Sequence, residues 1–222
     1  MNLTRRSLLG SLCLLAWVRS SVACAGSKWL FRVERAGRDI GRHQILLQTH
    51  KASLQVTVNI ELAVRIAWLR AYYYTHENRE HWLAGHLQAF HSKTNDNGRI
   101  YTVDCVRDLR GFVIASSEGH YRTGPRAVAT TYWHRAFTRV DTWIDSMTGQ
   151  PRRIICAPQP PRRQDAGFAC PGASFSYAVQ GDLELQLDYL GDSLAALTFM
   201  LDGAAFTYVP LELPATIPHL SI

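Results

Sequence analysis

The sequence predicts an all-β fold: a strongly curved antiparallel sheet, a half-barrel or barrel, with little helix. Three observations predict it. From Leu54 to Ile66, the residues Val56, Val58, Ile60, Leu62, Val64 and Ile66 form an unbroken period-two stripe, the mark of a strand with one buried face. Shorter alternations recur on both sides of it, beginning with Trp29, Phe31 and Val33 set against Arg32 and Glu34. Turn chemistry separates them at Ala36-Gly37, Asn97-Gly98, Arg110-Gly111, Gly181-Asp182, Gly191-Asp192 and Asp202-Gly203. Roughly ten to twelve short strands joined in this way close most economically by curling the sheet on itself.

Taken in order, Trp29 to Glu34 and Ile40 to Thr49 form an opening hairpin, and a turn over His50 to Ser53 leads into the long stripe. Trp68 to Thr75, Glu80 to Gly85 and Leu87 to Lys93 read as further β segments, and Asn97-Gly98 turns the chain into Arg99 to Arg107. Phe112 to Ser116 follows. After Pro125 the period weakens, so Ala127 to Phe137 is expected as a helical turn or as a loop crossing an end of the sheet. Trp143 to Asp145 and Arg153 to Cys156 pair next. Beyond a proline-rich loop, Phe175 to Gln180, Glu184 to Tyr189, Ala195 to Leu201 and Ala205 to Val209 complete the strands. Pro210, Pro214 and Pro218 predict an extended tail rather than another ladder strand.

The first 25 residues read differently. Arg5-Arg6 precedes an uncharged run, Ser7 to Val18, too short to span a bilayer, and Leu8-Leu9 after the arginine pair resembles a twin-arginine export signal. Cleavage after Ala23-Cys24-Ala25 would leave residues 26–222 as a single β-rich domain in the periplasm. The same residues offer a rival, because Ser21-Val22-Ala23-Cys24 resembles a lipoprotein box that would put a lipid on Cys24. Without such a lipid, membrane contact would be transient. In an oxidising periplasm Cys156 and Cys170 could close the proline-rich loop, with Cys105 a buried strand thiol.

Arg5, Arg6 and Arg19 supply half of the formal net charge of +6, so the rest of the chain is only mildly basic. It lacks the clustered basic stripe that nucleic-acid binding requires. The segment His76-Glu77-Asn78-Arg79-Glu80-His81 approaches a zinc hydrolase motif, but its histidines stand five residues apart where that helix needs four. On a strand, His76 and Glu80 share one face while Glu77 and His81 take the other. Gly191-Asp192-Ser193-Leu194 matches a serine-esterase block, yet it lies late in the chain, within a hairpin turn, and no Asp-x-x-His follows it. No cofactor or metal motif is left.

The binding surface is expected around Tyr72 to Gly98, which holds three consecutive tyrosines and four of the nine histidines. Tyr72, Tyr74, Trp82, Tyr132 and Trp133 would line a concave apolar groove, with His76 and Glu80 near its mouth. Aromatics alternating on a curved sheet also serve as plain core. The expected partner is a lipid or other apolar small molecule. An enzyme using Glu80 and a histidine as acid and base is the alternative, as is a structural partner of another envelope protein.

These residues carry a resemblance. Phe31 with Gly41, Glu80-x-Trp82-x-x-Gly85-x-Leu87, Thr94 with Asn97-Gly98, Thr131-Tyr132-Trp133, Asp145 with Thr148-Gly149, and Tyr189 are similar to an uncharacterised family of exported bacterial proteins, a domain of unknown function. Asparagine is expected after Trp133, where this chain has His134. Such proteins look like distant relatives of the half-barrels that carry lipoproteins, which implies a curved sheet holding acyl chains, possession of which is a matter of fold and not yet of function.

Overall fold

The computed structural model describes residues 26–66, 69–160 and 175–220. The expected leader, Cys24 and Cys170 fall outside them. Fifteen strands form one sheet: β1 (Gly26–Arg35), β2 (Arg38–His50), β3 (Ser53–Ile66), β4 (Leu69–Leu83), β5 (His86–Asp96), β6 (Arg99–Asp108), β7 (Gly111–Ser116), β8 (Gly119–Thr123), β9 (Val128–Ala129), β10 (Thr142–Ile144), β11 (Pro151–Gln159), β12 (Phe175–Gly181), β13 (Leu185–Leu190), β14 (Ser193–Leu201) and β15 (Ala204–Glu212). A 3-10 helix, Arg135–Arg139, lies between β9 and β10.

Strand order runs β8 through β1, then β15 down to β9. Every neighbour is a sequence neighbour except β1 and β15, which pair antiparallel with Val33 opposite Tyr208. The first and last strands therefore meet in the middle of the sheet, and the break falls between β8 and β9. Across that seam the sheet curls until β8 touches β11. The all-β curved sheet is thus present, barrel-like but not closed by a strand pair.

Turn geometry sets the two ends. Ala36-Gly37, Ala84-Gly85, Asn97-Gly98 and Asp202-Gly203 each hold two successive positive φ angles, the twist that matches a tight hairpin. Antiparallel order places residues 36–37, 97–98 and 202–203 at one end of the curl and residues 84–85 and 191–192 at the other. At Gly41 (φ 150°) a Cβ would lie 2.0 Å from the Glu61 carbonyl oxygen, so only glycine lets β2 approach β3 next to the β1–β2 bulge.

Four elements differ from the sequence reading. Trp68 to Thr75 and Glu80 to Gly85 are not separate segments; β4 is one fifteen-residue strand, paired along its length with β3 and β5. Polar residues from His76 to His81 hid this, because the sheet interior accepts them where partners exist. An unexpected strand, β8, follows Ser116. Pro210 sits inside β15, opposite Phe31 where the β1 register shifts, and a bulge is where a strand tolerates a residue without an N–H. Residues 127–137 do contain the expected helical turn, the start of the 3-10 helix at Arg135, but Val128, Trp133 and Phe137 are buried, so the segment packs into the interior of the curl.

That segment, residues 124–150, is a strap. It leaves β8 near β6, where Arg107 Nη2 donates to the Pro125 carbonyl at 2.5 Å. It crosses to β14, where Leu194 N–H donates to Trp133 O at 3.2 Å and Arg135 N–H to Asp192 O at 2.8 Å. It then returns to the seam, where Ser116 Oγ donates to Thr148 O at 2.8 Å. At Gly149 (φ 78°) a Cβ would stand 3.0 Å from Ile114 and Ser116, which closes the turn tightly on β7.

Candidate functional site

β4 alternates cleanly, with His76, Asn78, Glu80 and Trp82 buried while Glu77, Arg79 and His81 are exposed. The inner face thus carries a buried polar column, continued by Ser92 and Thr94 on β5. Neighbours on the sheet satisfy part of this column, and the strap supplies partners to Ser92, Glu80 and His76. Glu80 is the centre of that joint. Its Oε1 accepts from Thr131 Oγ1 at 2.6 Å and Asn78 Nδ2 at 3.2 Å, and its Oε2 from the indoles of Trp82 at 2.7 Å and Trp133 at 3.2 Å. Burial raises its pKa, against four hydrogen bonds that favour the ionised form. Among the described residues no imidazole reaches it.

Around this joint lies an aromatic plug. Trp82 stacks on Phe137 at 5.7 Å, and Trp133 meets Trp82 edge-on at 5.7 Å and Trp29 at 6.4 Å. All four are 0% exposed, and fully burying such side chains stabilises by about 1.5–3 kcal/mol each. His134 starts the 3-10 helix, its Nδ1 accepting from Ala136 N–H at 3.0 Å. Asparagine can cap in the same way, which accounts for His134 standing where asparagine was expected. The plug closes the end that holds Ala84-Gly85.

The other half of the curl is hollow. A chamber of about 420 Å³ is lined by His43, Tyr74, His76, Tyr132, Asp145 and Ser146 among others. A groove of about 660 Å³, walled by Ile40, Leu62, Val64, Tyr72 and Phe206, leads outward from it toward residues 36–37 and 202–203. Ile60, Tyr74, Phe199, Leu201 and Tyr208 border both spaces, which join them.

At the chamber floor His76 Nδ1 pairs with Thr94 Oγ1 at 2.7 Å, and its Nε2 faces Ser146 Oγ at 3.3 Å. Burial pulls its pKa down to about 4, partly opposed by the charge of Asp145. His43 falls to about 3 through burial and then through the charge of His76. Tyr132 holds φ at 59°, a strained value for a tyrosine, with its ring 5.3 Å from Trp143 and its carbonyl accepting from Tyr189 Oη at 3.1 Å. Burial raises the pKa of Tyr74, Tyr132 and Tyr208, which keeps their hydroxyls protonated. At the rim Tyr72 Oη donates to Asp96 at 2.6 Å.

Of the residues singled out from the sequence, Tyr72, Tyr74, His76 and Tyr132 come together on this cavity. Glu80, Trp82 and Trp133 come together in the plug and do not line it; Glu80 is 2% exposed, at no mouth. His43, Tyr208 and Ser146 were not singled out, and Asp145 only as part of the family resemblance. His43 had a signal, since it stands in phase with the inward Ile45 and Leu47. The other three are joined to it only by the strap and the β1–β15 pairing. Among the described residues no group of three or more His, Cys, Asp or Glu side chains could hold a metal ion. Ser193 opens β14 beside the Gly191-Asp192 turn and accepts from Trp29 Nε1 at 2.9 Å, a structural role.

A family model described as a domain of unknown function, DUF6134, matches residues 31–211. Among solved structures the chain is similar to the crystal structure of a beta-barrel-like protein of domain of unknown function DUF1849 from Brucella abortus. The likeness has a TM-score of 0.51 at 10% identity and covers 85% of this chain and 95% of that one. At that identity it shows the fold alone. No curated protein matches the chain.

Proposed function

The chain belongs to the DUF6134 family, and on the geometry of its hollow end we propose that it is a non-catalytic periplasmic protein that binds or hands on a lipid or other apolar molecule. One observation carries the reading: the plug fills one end of the curl with side chains, while the other keeps an apolar-walled space that opens outward. A curl of fifteen strands is too wide for strand side chains alone to fill, and larger barrels enclose ligand cavities or channels, so the end that the plug does not reach stays open. The volumes of about 420 and 660 Å³ fall in the range of small-molecule sites, and few convergent polar groups stand on apolar walls, the usual make-up of such sites. In this reading Tyr72, Tyr74 and Tyr132 supply rigid ring contact and His76 fixes a polar end, while Glu80, Trp82 and Trp133 hold the strap that forms the floor.

The test is native mass spectrometry of protein purified gently from the periplasm, followed by solvent extraction of whatever leaves it. A stoichiometric apolar species on a chain beginning at Gly26 is the expected result. A homogeneous empty protein that also fails to bind an apolar fluorescent dye would overturn the reading.

A further inference from the structure

Resting on that reading of the chamber, we propose that its ligand is an uncharged ester, an apolar chain whose ester oxygens accept hydrogen bonds from the hydroxyls of Tyr74 and Tyr208 where the chamber meets the groove. Four tyrosines line the two spaces, and two of them are already engaged. Tyr72 Oη donates to Asp96 at 2.6 Å, and the Thr130 side chain hydrogen-bonds the Tyr132 hydroxyl. Tyr74 and Tyr208 border both spaces, and among the described residues neither hydroxyl has a partner. Tyr208 is only 7% exposed, its ring held by Phe31 at 6.3 Å and by His43 at 5.2 Å, while Tyr74 stacks on His76 at 6.5 Å. Packing seals the ring nitrogens of His43, but both of these hydroxyl oxygens stay open to the cavity. They stand near enough that charge on one opposes ionisation of the other. Buried polar groups without partners are rare, and each calls for an explanation.

A protonated phenol offers one O–H, so the junction presents two donors. The acceptors closest to it are spent. Asp145 accepts from the Met147 and Thr148 N–H groups and from Arg152, and Ser146 Oγ is shared between Thr130 and His76. An ester accepts without bringing a donor of its own, whereas an alcohol or an amide brings one. Charge decides against an anionic head. Asp145, Asp182 and Glu184 line the chamber and Asp96 and Asp202 the outer groove, where Arg35 is the one cation among the described lining residues. The imidazoles of His43 and His76 are uncharged at neutral pH and supply no compensating cation. A carboxylate or phosphate head would pass several acids, and like charges at short range oppose binding. An ammonium head would suit those acids but brings only donors to two hydroxyls that lack an acceptor. Ile40, Leu62, Val64 and Phe206 then wall the chain along the groove.

Competition against an apolar fluorescent dye tests this at pH 8 with methyl decanoate, decanoate, decylamine and 1-chlorodecane, on wild type, Tyr74→Phe and Tyr208→Phe. Each variant keeps the ring and loses one hydroxyl. Each should bind methyl decanoate roughly fivefold more weakly than wild type, the margin of one ordinary hydrogen bond, and chlorodecane within about twofold of it. Neither hydroxyl bonds to the protein, so both variants should melt no lower than wild type; a clearly lower midpoint would reveal a structural hydroxyl and overturn the proposal. An ester affinity unchanged in either variant overturns it too, as does tighter binding of decanoate or decylamine than of the ester to wild type. If none of the four probes displaces the dye from folded wild type, the apolar chamber itself falls, a result distinct from displacement that ignores the hydroxyls.

Discussion

Replacing Glu80 with leucine should loosen the strap from the sheet without changing the volume of the core much. The variant removes the acceptor of four buried donors: the indoles of Trp82 and Trp133 and the Asn78 amide, all 0% exposed, and the Thr131 hydroxyl, 2% exposed. At about 1–3 kcal/mol for each donor left unsatisfied, the gross loss is about 4–12 kcal/mol. Leucine also removes the desolvation penalty of a buried carboxyl, several kcal/mol, so the net destabilisation is about 2–5 kcal/mol. Glu80→Gln is the discriminating control. Its amide oxygen still accepts from both indoles, and its NH2 turns to Thr131 and to Asn78, whose Oδ1 lacks a partner and can face it once that amide turns over. That variant should lie within about 1 kcal/mol of wild type. Urea unfolding followed by tryptophan fluorescence measures both, and amide exchange at residues 131–134 reports whether the strap has loosened locally. A leucine variant as stable as the glutamine variant would refute the claim that acceptor oxygens at Glu80 hold the strap.

Acid should unfold the protein through His43 and His76. Their folded pKa values lie at about 3 and about 4, below the ordinary 6.5, so the unfolded chain binds protons that the folded chain refuses. Their contribution to stability is therefore full above pH 6.5 and is lost as pH falls, by about 2 kcal/mol per imidazole on reaching pH 5. Glu80, with its pKa raised, acts in the opposite sense, favouring the fold as pH falls. Melting midpoints from pH 7 to pH 5 check this: the drop should shrink in His43→Phe, and a flat profile in wild type would contradict it. Gly41→Ala should destabilise by roughly 2–4 kcal/mol or prevent folding, since its Cβ would stand 2.0 Å from Glu61 O, whereas Gly37→Ala, with nothing within 4 Å, should cost about 1 kcal/mol for its positive φ. Equal denaturation midpoints for the two variants would show that β2 and β3 can separate at that point.

Along each strand the sequence was legible because side-chain parity is a local property. Trp29, Phe31 and Val33 face inward as their alternation says, and the β3 stripe pairs from end to end. Asn97-Gly98 and Asp202-Gly203 turn where their chemistry puts them. Ala84 was not legible as a turn, because nothing in an alanine announces a positive φ; the pairing of β4 with β5 imposes it. The site was half legible. Tyr72, Tyr74, His76 and Tyr132 could be picked out by residue type, but the same criterion picked out Glu80, Trp82 and Trp133, which the fold uses to seat the strap.

By itself, then, the sequence determined which residues point inward, where most hairpins turn, and that so many short strands must curl. Only the tertiary structure decided what the inside holds. The pairing of β1 with β15 moves the break in the sheet to the β8–β9 gap, and the strap that bridges this gap must bury its own backbone and aromatic rings inside the curl. It fills one end because Glu80 and Trp82 lie at that end of β4, and it leaves the other hollow because its hydrogen bonds are spent before Tyr74 is reached. No local pattern encodes that division, since it depends on contacts such as Thr131 with Glu80 and Trp29 with Ser193, far apart in the chain and brought together only by closure.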